Sequence, residues 1–335
     1  MTARAYVLER VGPDDAALFR YADHTVFQTE AWLRFVAQTQ RGEAVVAQVR
    51  DGHRAIGRFT GLLVRRYGLR ILGSPLPGST TSYMGFNLVE GASRASALRA
   101  LRAFAFAELD CAHVEVTDRY ATREDCIEAG YRLEPSAMSG YQVDMGGGPD
   151  VVFAAMKSST RRNVRKAERE GLTVEIAEDA AFADDYYAQL EDVFAKQRLR
   201  PTYGVGRVRA LIEHVGPTGR LLLLRARTPD GTCIATGIFP AANRTMFFWG
   251  GASWRNHQIL RPNEALQWTA MRYWMDRGIT VYDMMGGGRY KRNYGAASIH
   301  VPRAHLARFP AIELLREGRR QAHRVAQRLG GWRRR

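Results

Sequence analysis

The chain has 335 residues, 46% of them hydrophobic and 25% charged. That length suits two domains, and the composition excludes a disordered tail protein, a collagen and a coiled-coil rod. Forty-nine basic residues against 34 acidic ones give a formal charge of +15, which favours contact with phosphates or anionic lipid and carries no information about fold.

The residues from Met1 to Gly12 lack the apolar segment of a secretory signal. The tightest apolar run, Leu221 to Leu224, falls far short of the roughly 18 residues that cross a bilayer. Cys111, Cys126 and Cys233 are too few and too scattered for a disulfide framework or a zinc site. A cytoplasmic location is expected. Only four of the basic residues are lysines, at 157, 166, 196 and 291.

In chain order, Asp51-Gly52 opens a hairpin between a strand at 44–49 and an alternating run at 55–64. A strand at 70–73, an irregular loop, a helix over 93–109 and a strand at 113–117 follow. A strand at 142–145 ends at Gly146-Gly147-Gly148-Pro149, where the domain boundary is expected. Next comes a basic helix, MKSSTRRNVRKAEREG, with Ser158 or Ser159 as its cap and Gly171 as its stop. In it Arg161, Arg165 and Arg169 recur four apart, beside Arg162 and Lys166; their mutual repulsion is a cost that a phosphate partner would relieve.

Asp230-Gly231 then repeats the hairpin between 220–226 and 233–239, with a strand at 245–252, a helix at 263–277 and a strand at 279–284. From the Asp-Gly pair to the end of the following strand is the same distance in both halves, so one α/β unit is used twice. By alternation Phe247 and Trp249 share one face of their strand and Phe248 takes the other. Asp283 shares a face with Ile279 and Val281. The last twenty residues carry eight arginines against Glu317. A narrow apolar stripe through Ile312, Leu315, Ala322, Val325 and Leu329 marks a basic amphipathic helix, either docked by its stripe or anchored to an anionic surface. The expected division is 1–148, 149–310 and a tail at 311–335.

A hairpin, a further strand, a helix and a crossing strand is the order of the GNAT acyltransferase fold. The second half resembles the FemABX aminoacyl-tRNA-dependent transferases and their BioF2-like relatives through TRRNVRKAEREGLTVE, residues 230–253, PNEALQWTAMRYWMDRG and YDMMGGGRYKRNYG. The first half resembles them through FQTEAWLRF and GSPLPGSTTSYMGF, which contains Tyr83. The resemblance implies an α/β (α+β) fold of tandem GNAT-like domains, each a mixed twisted sheet flanked by helices. It also implies transfer of an aminoacyl group from tRNA to an amine of a cell-wall precursor or peptide-like metabolite, with neither metal nor organic cofactor.

Such a site must align a neutral amine against an ester carbonyl and stabilise the oxyanion. The resemblance puts Tyr290 and Lys291 at the catalytic positions, flanked by Arg292 and Tyr294. Asp283 is either a proton acceptor or an acceptor for backbone donors. Arg198, with Tyr203 beside it, matches the family arginine that holds a phosphate or acidic part of the acceptor; Phe248, Trp249 and Tyr83 complete the candidate acceptor pocket. Arg161, Arg162, Arg165 and Lys166 are the candidate tRNA-binding residues. Lys291→Ala is expected to remove most turnover while leaving the fold intact.

Two departures and two rivals accompany the resemblance. Ala37 stands where peptidoglycan-modifying relatives often carry a pyrophosphate-binding lysine, which argues against a nucleotide- or lipid-linked muropeptide acceptor. The paired-helix arm of the longest members is also absent. An N-acyltransferase using acyl-CoA or an acyl carrier is the first rival, but the stretch Arg255 to Pro262 contains no glycine for a pyrophosphate cradle. The second is a basic adaptor that binds RNA or membrane through the Arg161 helix and the C-terminal tail.

Overall fold

The computed structural model describes residues 5–135, 138–195, 198–314 and 316–318. The first unit begins with β1 (Val7–Val11), α1 (Asp15–Leu18), α2 (Glu30–Gln40), β2 (Glu43–Asp51), β3 (Arg54–Arg66), β4 (Leu69–Ser74) and β5 (Gly85–Leu88). It continues through α3 (Arg94–Ala103), β6 (His113–Val116), α4 (Arg123–Glu128) and β7 (Arg132–Leu133). The second begins with β8 (Met138–Asp144), α5 (Gly148–Ala155), α6 (Ser158–Arg169), β9 (Thr173–Ile176), α7 (Phe182–Ala195), α8 (Val205–Val215), β10 (Leu221–Arg227) and β11 (Cys233–Ala242). It ends with β12 (Thr245–Phe247), β13 (Gly250–Ser253), α9 (Pro262–Met275), β14 (Val281–Gly286) and β15 (Ala297–Val301), and β16 (Ala304–Ala307) closes the series.

The internal repeat is visible in the topology. One sheet runs β1-β2-β3-β4-β6-β16-β7 with β5 on β3; the other runs β9-β10-β11-β12-β14-β8-β15 with β13 on β11. Among the described residues each has a single parallel contact, β4 with β6 and β12 with β14. The sheets do not divide the chain at position 148. β8 lies before that position yet pairs with β14, and β16 leaves the second half to pair with β6 and β7. The second sheet thus starts at β8, ahead of the expected boundary, and β16 returns from the second half to the first sheet.

Three apolar cores result. One lies between the first sheet and α3, with Phe59, Phe86, Leu98 and Phe104. A second lies between the second sheet and α9, with Phe239, Leu266, Met271 and Tyr282. The third joins the units: Phe27, Trp32, Phe35 and Tyr83 of the first pack with Phe182, Tyr186, Leu211, Phe247 and Trp249 of the second. A core of buried aromatic rings across this junction fixes the units against each other.

Local differences from the sequence-based expectations have physical causes. The helix of the second half starts at Pro262, whose missing N–H is unneeded at a helix start. The expected strand over 245–252 is split into β12 and β13 around Phe248 and Trp249. Neither serine caps α6: Lys157 holds the N-cap position without a side-chain bond, and Ser158 is already helical. Gly171 does stop that helix, at φ +73°. Leu315 and residues 319–335, which carry most of the anticipated basic helix, lie outside the described residues.

Candidate active site

The site forms where the parallel pair β12/β14 comes apart. Thr245, Met246 and Phe247 run in register with Val281, Tyr282 and Asp283, and the Phe248 N–H donates to the Asp283 carbonyl at 3.0 Å. Beyond that level both strands deviate. Trp249 N–H donates to the Ile238 carbonyl although Gly250 is in register with Ile238, so two residues oppose one in a β-bulge. On β14 the register with β8 shifts between Asp283 and Gly286, and Met285 takes φ +59°. Trp254 N–H donates to the Ile234 carbonyl; alternation along β13 therefore turns the Gly251 and Ser253 amides away from β11, into the opening.

A cavity of about 430 Å³ occupies the opening. Phe248, Gly251 and Ser253 form one wall, Glu264 and Gln267 of α9 another, and Tyr290 and Tyr294 a third. Its polar groups are held from outside. Asn163 of α6 donates to Glu264 at 2.8 Å, Asn263 donates to Ser253 Oγ at 3.1 Å, and the Tyr282 hydroxyl donates to Gln267. Burial, and then the Glu264 carboxylate, push the Tyr290 phenol above its ordinary pKa, so it is a hydrogen-bond donor at neutral pH. Gly287 and Gly288, at φ +80° and +56°, turn the chain from β14 into the 3-10 segment Arg289–Tyr294 that carries both tyrosines.

Lys291 and Asp283 lie beneath this cavity and do not line it. The Lys291 ammonium donates to the carbonyls of Met284 and Gly286 at 2.5 and 2.6 Å and lies 5.6 Å from the centre of the Phe248 ring. Burial lowers its pKa to about 8, with Asp283 opposing. Asp283 accepts from the Met285 N–H at 2.7 Å and, across the unit boundary, from the Tyr83 hydroxyl at 2.9 Å. Burial raises the Asp283 pKa, and its hydrogen bonds oppose the rise. Both residues fasten the bulge of β14. Removal of Lys291 therefore withdraws support from the fold as well, contrary to the expectation for Lys291→Ala.

The remaining candidates are dispersed. Trp249 packs on Tyr203, 5.6 Å between rings, and Tyr203 shares a hydrogen bond of 2.8 Å with Tyr186; these rings belong to the core between the units. Arg198 follows α7 at φ +54° and is exposed. Arg292 is exposed, with its guanidinium 5.7 Å from the Tyr141 ring centre. On α6, Arg161 donates through Nη1 to the carbonyls of Ala154 and Met156 at the end of α5. Lys166 is half-buried, whereas Arg162, Arg165 and Arg169 are exposed. Glu264, Gln267 and Ser253 were not anticipated from sequence. Glu264 follows Pro262 by two positions, a visible signal once the helix start is known.

The first unit shows the same divergence, filled in. Phe86 N–H donates to the buried Asp118 carboxylate at 2.7 Å; Arg94, in the first turn of α3, clamps that carboxylate at 2.7 and 2.9 Å and reaches Asp23 at 2.6 Å. An ion network thus occupies the place where the second unit has a cavity.

Comparison with known proteins agrees with this architecture. Residues 154–292 match the family described as "Acetyltransferase (GNAT) domain", a span that contains the cavity-lining residues except Tyr294. No curated protein matches the chain. Among solved structures, FemX aligns over 88% of this chain and 96% of its own at 11% identity and a TM-score of 0.71. A tandem GNAT protein from the clavulanic acid biosynthesis pathway aligns over 90% and 97% at 10% identity and a TM-score of 0.51. The C-terminal domain of a putative lysylphosphatidylglycerol synthetase from Agrobacterium fabrum aligns over 78% and 83% at 13% identity and a TM-score of 0.50. The chain shares the tandem GNAT fold of these structures, and within its second unit residues 154–292 match the GNAT acetyltransferase domain.

Proposed function

We propose that this transferase moves an aminoacyl group from tRNA to an amine of a cell-wall precursor or peptide-like metabolite. The observation that carries the reading is the start of α9. A nucleotide pyrophosphate would need free backbone N–H groups and no opposing charge there; Pro262 at the helix start removes one donor, and Glu264 lines the cavity two positions on. A carboxylate at that point opposes the phosphates of coenzyme A. On α6, the helix that steadies Glu264, exposed Arg162, Arg165 and Arg169 offer a surface for a nucleic-acid backbone.

In this reading the aminoacyl ester lies in the cavity with its carbonyl oxygen towards the Gly251 and Ser253 amides, preorganised donors for an oxyanion. The acceptor nitrogen bonds to the carbonyl carbon, the ester C–O bond breaks, and the proton shed by the amine ends on the ribose oxygen. The Tyr290 hydroxyl is the proposed relay for that proton. The buried Lys291 ammonium adds positive potential beneath the developing oxyanion. Arg198, five residues beyond the cavity-lining Val193, is the proposed acceptor contact. The proposed membrane contact of the basic tail rests on residues outside those described, and no described helix is long and apolar enough to cross a membrane.

The test is binding of the full chain to aminoacylated bulk tRNA and to acetyl-CoA at two salt concentrations. Salt-sensitive tRNA binding is expected, and replacing Arg162, Arg165 and Arg169 by Gln should flatten the slope of log K against log salt by about two. Saturable acetyl-CoA binding without tRNA binding would replace this reading with the acyl-CoA alternative, which the acetyltransferase family match favours.

A further inference from the structure

The cavity wall contains one carboxylate and four aromatic side chains, Phe239 among them. Glu264 receives Asn163 on one oxygen, and its second oxygen takes no hydrogen bond among the described residues. The rings of Phe248, Tyr290 and Tyr294 line the same space. Arg261, the other charged residue of the lining, is exposed at the left-handed N-cap of α9 and makes no ion pair with Glu264 among the described residues. A half-buried carboxylate beside aromatic rings favours a cation, through charge-assisted hydrogen bonding and attraction to the rings. It disfavours both an anion and a neutral acyl chain.

We propose that Glu264, with the rings of Phe248, Tyr290 and Tyr294, receives the free ammonium of the transferred amino acid. The donor is then an ester of an unblocked amino acid, and an N-acylated group is rejected. This rests on the aminoacyl-transfer reading and adds its specificity device. The ammonium lies one carbon from the ester carbonyl, so its capture also fixes the carbonyl relative to the backbone amides of β13. Asn163 is a positioning residue that holds the carboxylate from α6.

The experiment needs no tRNA. Binding of 3′-(L-alanylamino)-3′-deoxyadenosine, an uncleavable mimic of the aminoacyl terminus, is measured by calorimetry against the same compound with its amine acetylated. The free amine should bind about tenfold more tightly to the full chain, the equivalent of one charge-assisted contact. Glu264→Gln should remove that preference without changing affinity for the acetylated compound. Equal affinities, no binding of the free amine at millimolar concentration, or a preference that survives in Glu264→Gln would each overturn the proposal. The wild-type comparison is decisive even where the variant fails to fold. Loss of this preference with salt-sensitive tRNA binding intact would refute the ammonium receptor alone. A retained preference without tRNA binding would refute the tRNA donor.

Discussion

Lys291 shows how little a residue type reveals before its surroundings are known. A lysine after a glycine-rich strand end suggests a catalytic ammonium, and the sequence offered no reason to place it underneath the site. Its two backbone acceptors exist because β14 bulges, and a bulge leaves carbonyls without ladder partners. Lys291→Met keeps much of the side-chain volume but removes the donors, so a stability loss of about 2 kcal/mol is expected in denaturant unfolding. The pH dependence supplies a second readout. The folded pKa, about 8, lies below that of a free lysine, so between the two values the unfolded chain binds more protons than the native one. Stability rises with pH across that window, by up to about 1.4 kcal/mol per unit. Lys291→Met should lack this component of the rise between pH 8 and 10, and an unchanged profile would refute the assignment.

At the scale of elements, one α/β unit appears twice with opposite outcomes. Both units pair a hairpin with a parallel strand and a helix, and in both the parallel strands separate. In the second unit the gap is a cavity; in the first it is closed by Arg94, Asp118 and Asp23. Burial pushes the Asp118 pKa up and Arg94 is the chief opposing influence, so the carboxylate depends on its partner. Arg94→Ala should destabilise the protein by about 3 kcal/mol or more, as expected when one member of a buried pair is removed. A thermal or denaturant midpoint close to wild type would contradict that dependence. The hairpins, the helices and the repeat were legible in sequence, because Asp-Gly turns and apolar periodicity are local signals. Which gap stays open was not, because Asp118 meets Arg94 only through the packing of α3 on the sheet.

For the whole molecule, the important contact is the one that crosses between units. Tyr83, from the irregular loop of the first half, donates its hydroxyl to Asp283 in the second. Tyr83→Phe should cost about 1–3 kcal/mol by leaving a buried carboxylate oxygen unpaired. In Asp283→Asn the same tyrosine change should cost measurably less, and a double-mutant cycle on unfolding free energies reads the difference. Additive effects would show that the two groups are not coupled. The large buried aromatic core at this junction also argues against a molecule of two independent domains, even though the repeat reads as two.

The sequence by itself determined the α/β class, the twofold use of one unit, the resemblance to FemABX transferases and the position of the basic helix. Each rests on neighbours in the chain or on a pattern of fixed period. Tertiary structure decided the rest. It returned β16 to the first sheet, tied Arg161 to the end of α5, sank Lys291 and Asp283 beneath the cavity and brought Glu264 into its wall. Those outcomes depend on strand pairing and bulges between residues far apart in the chain, which no local spacing encodes.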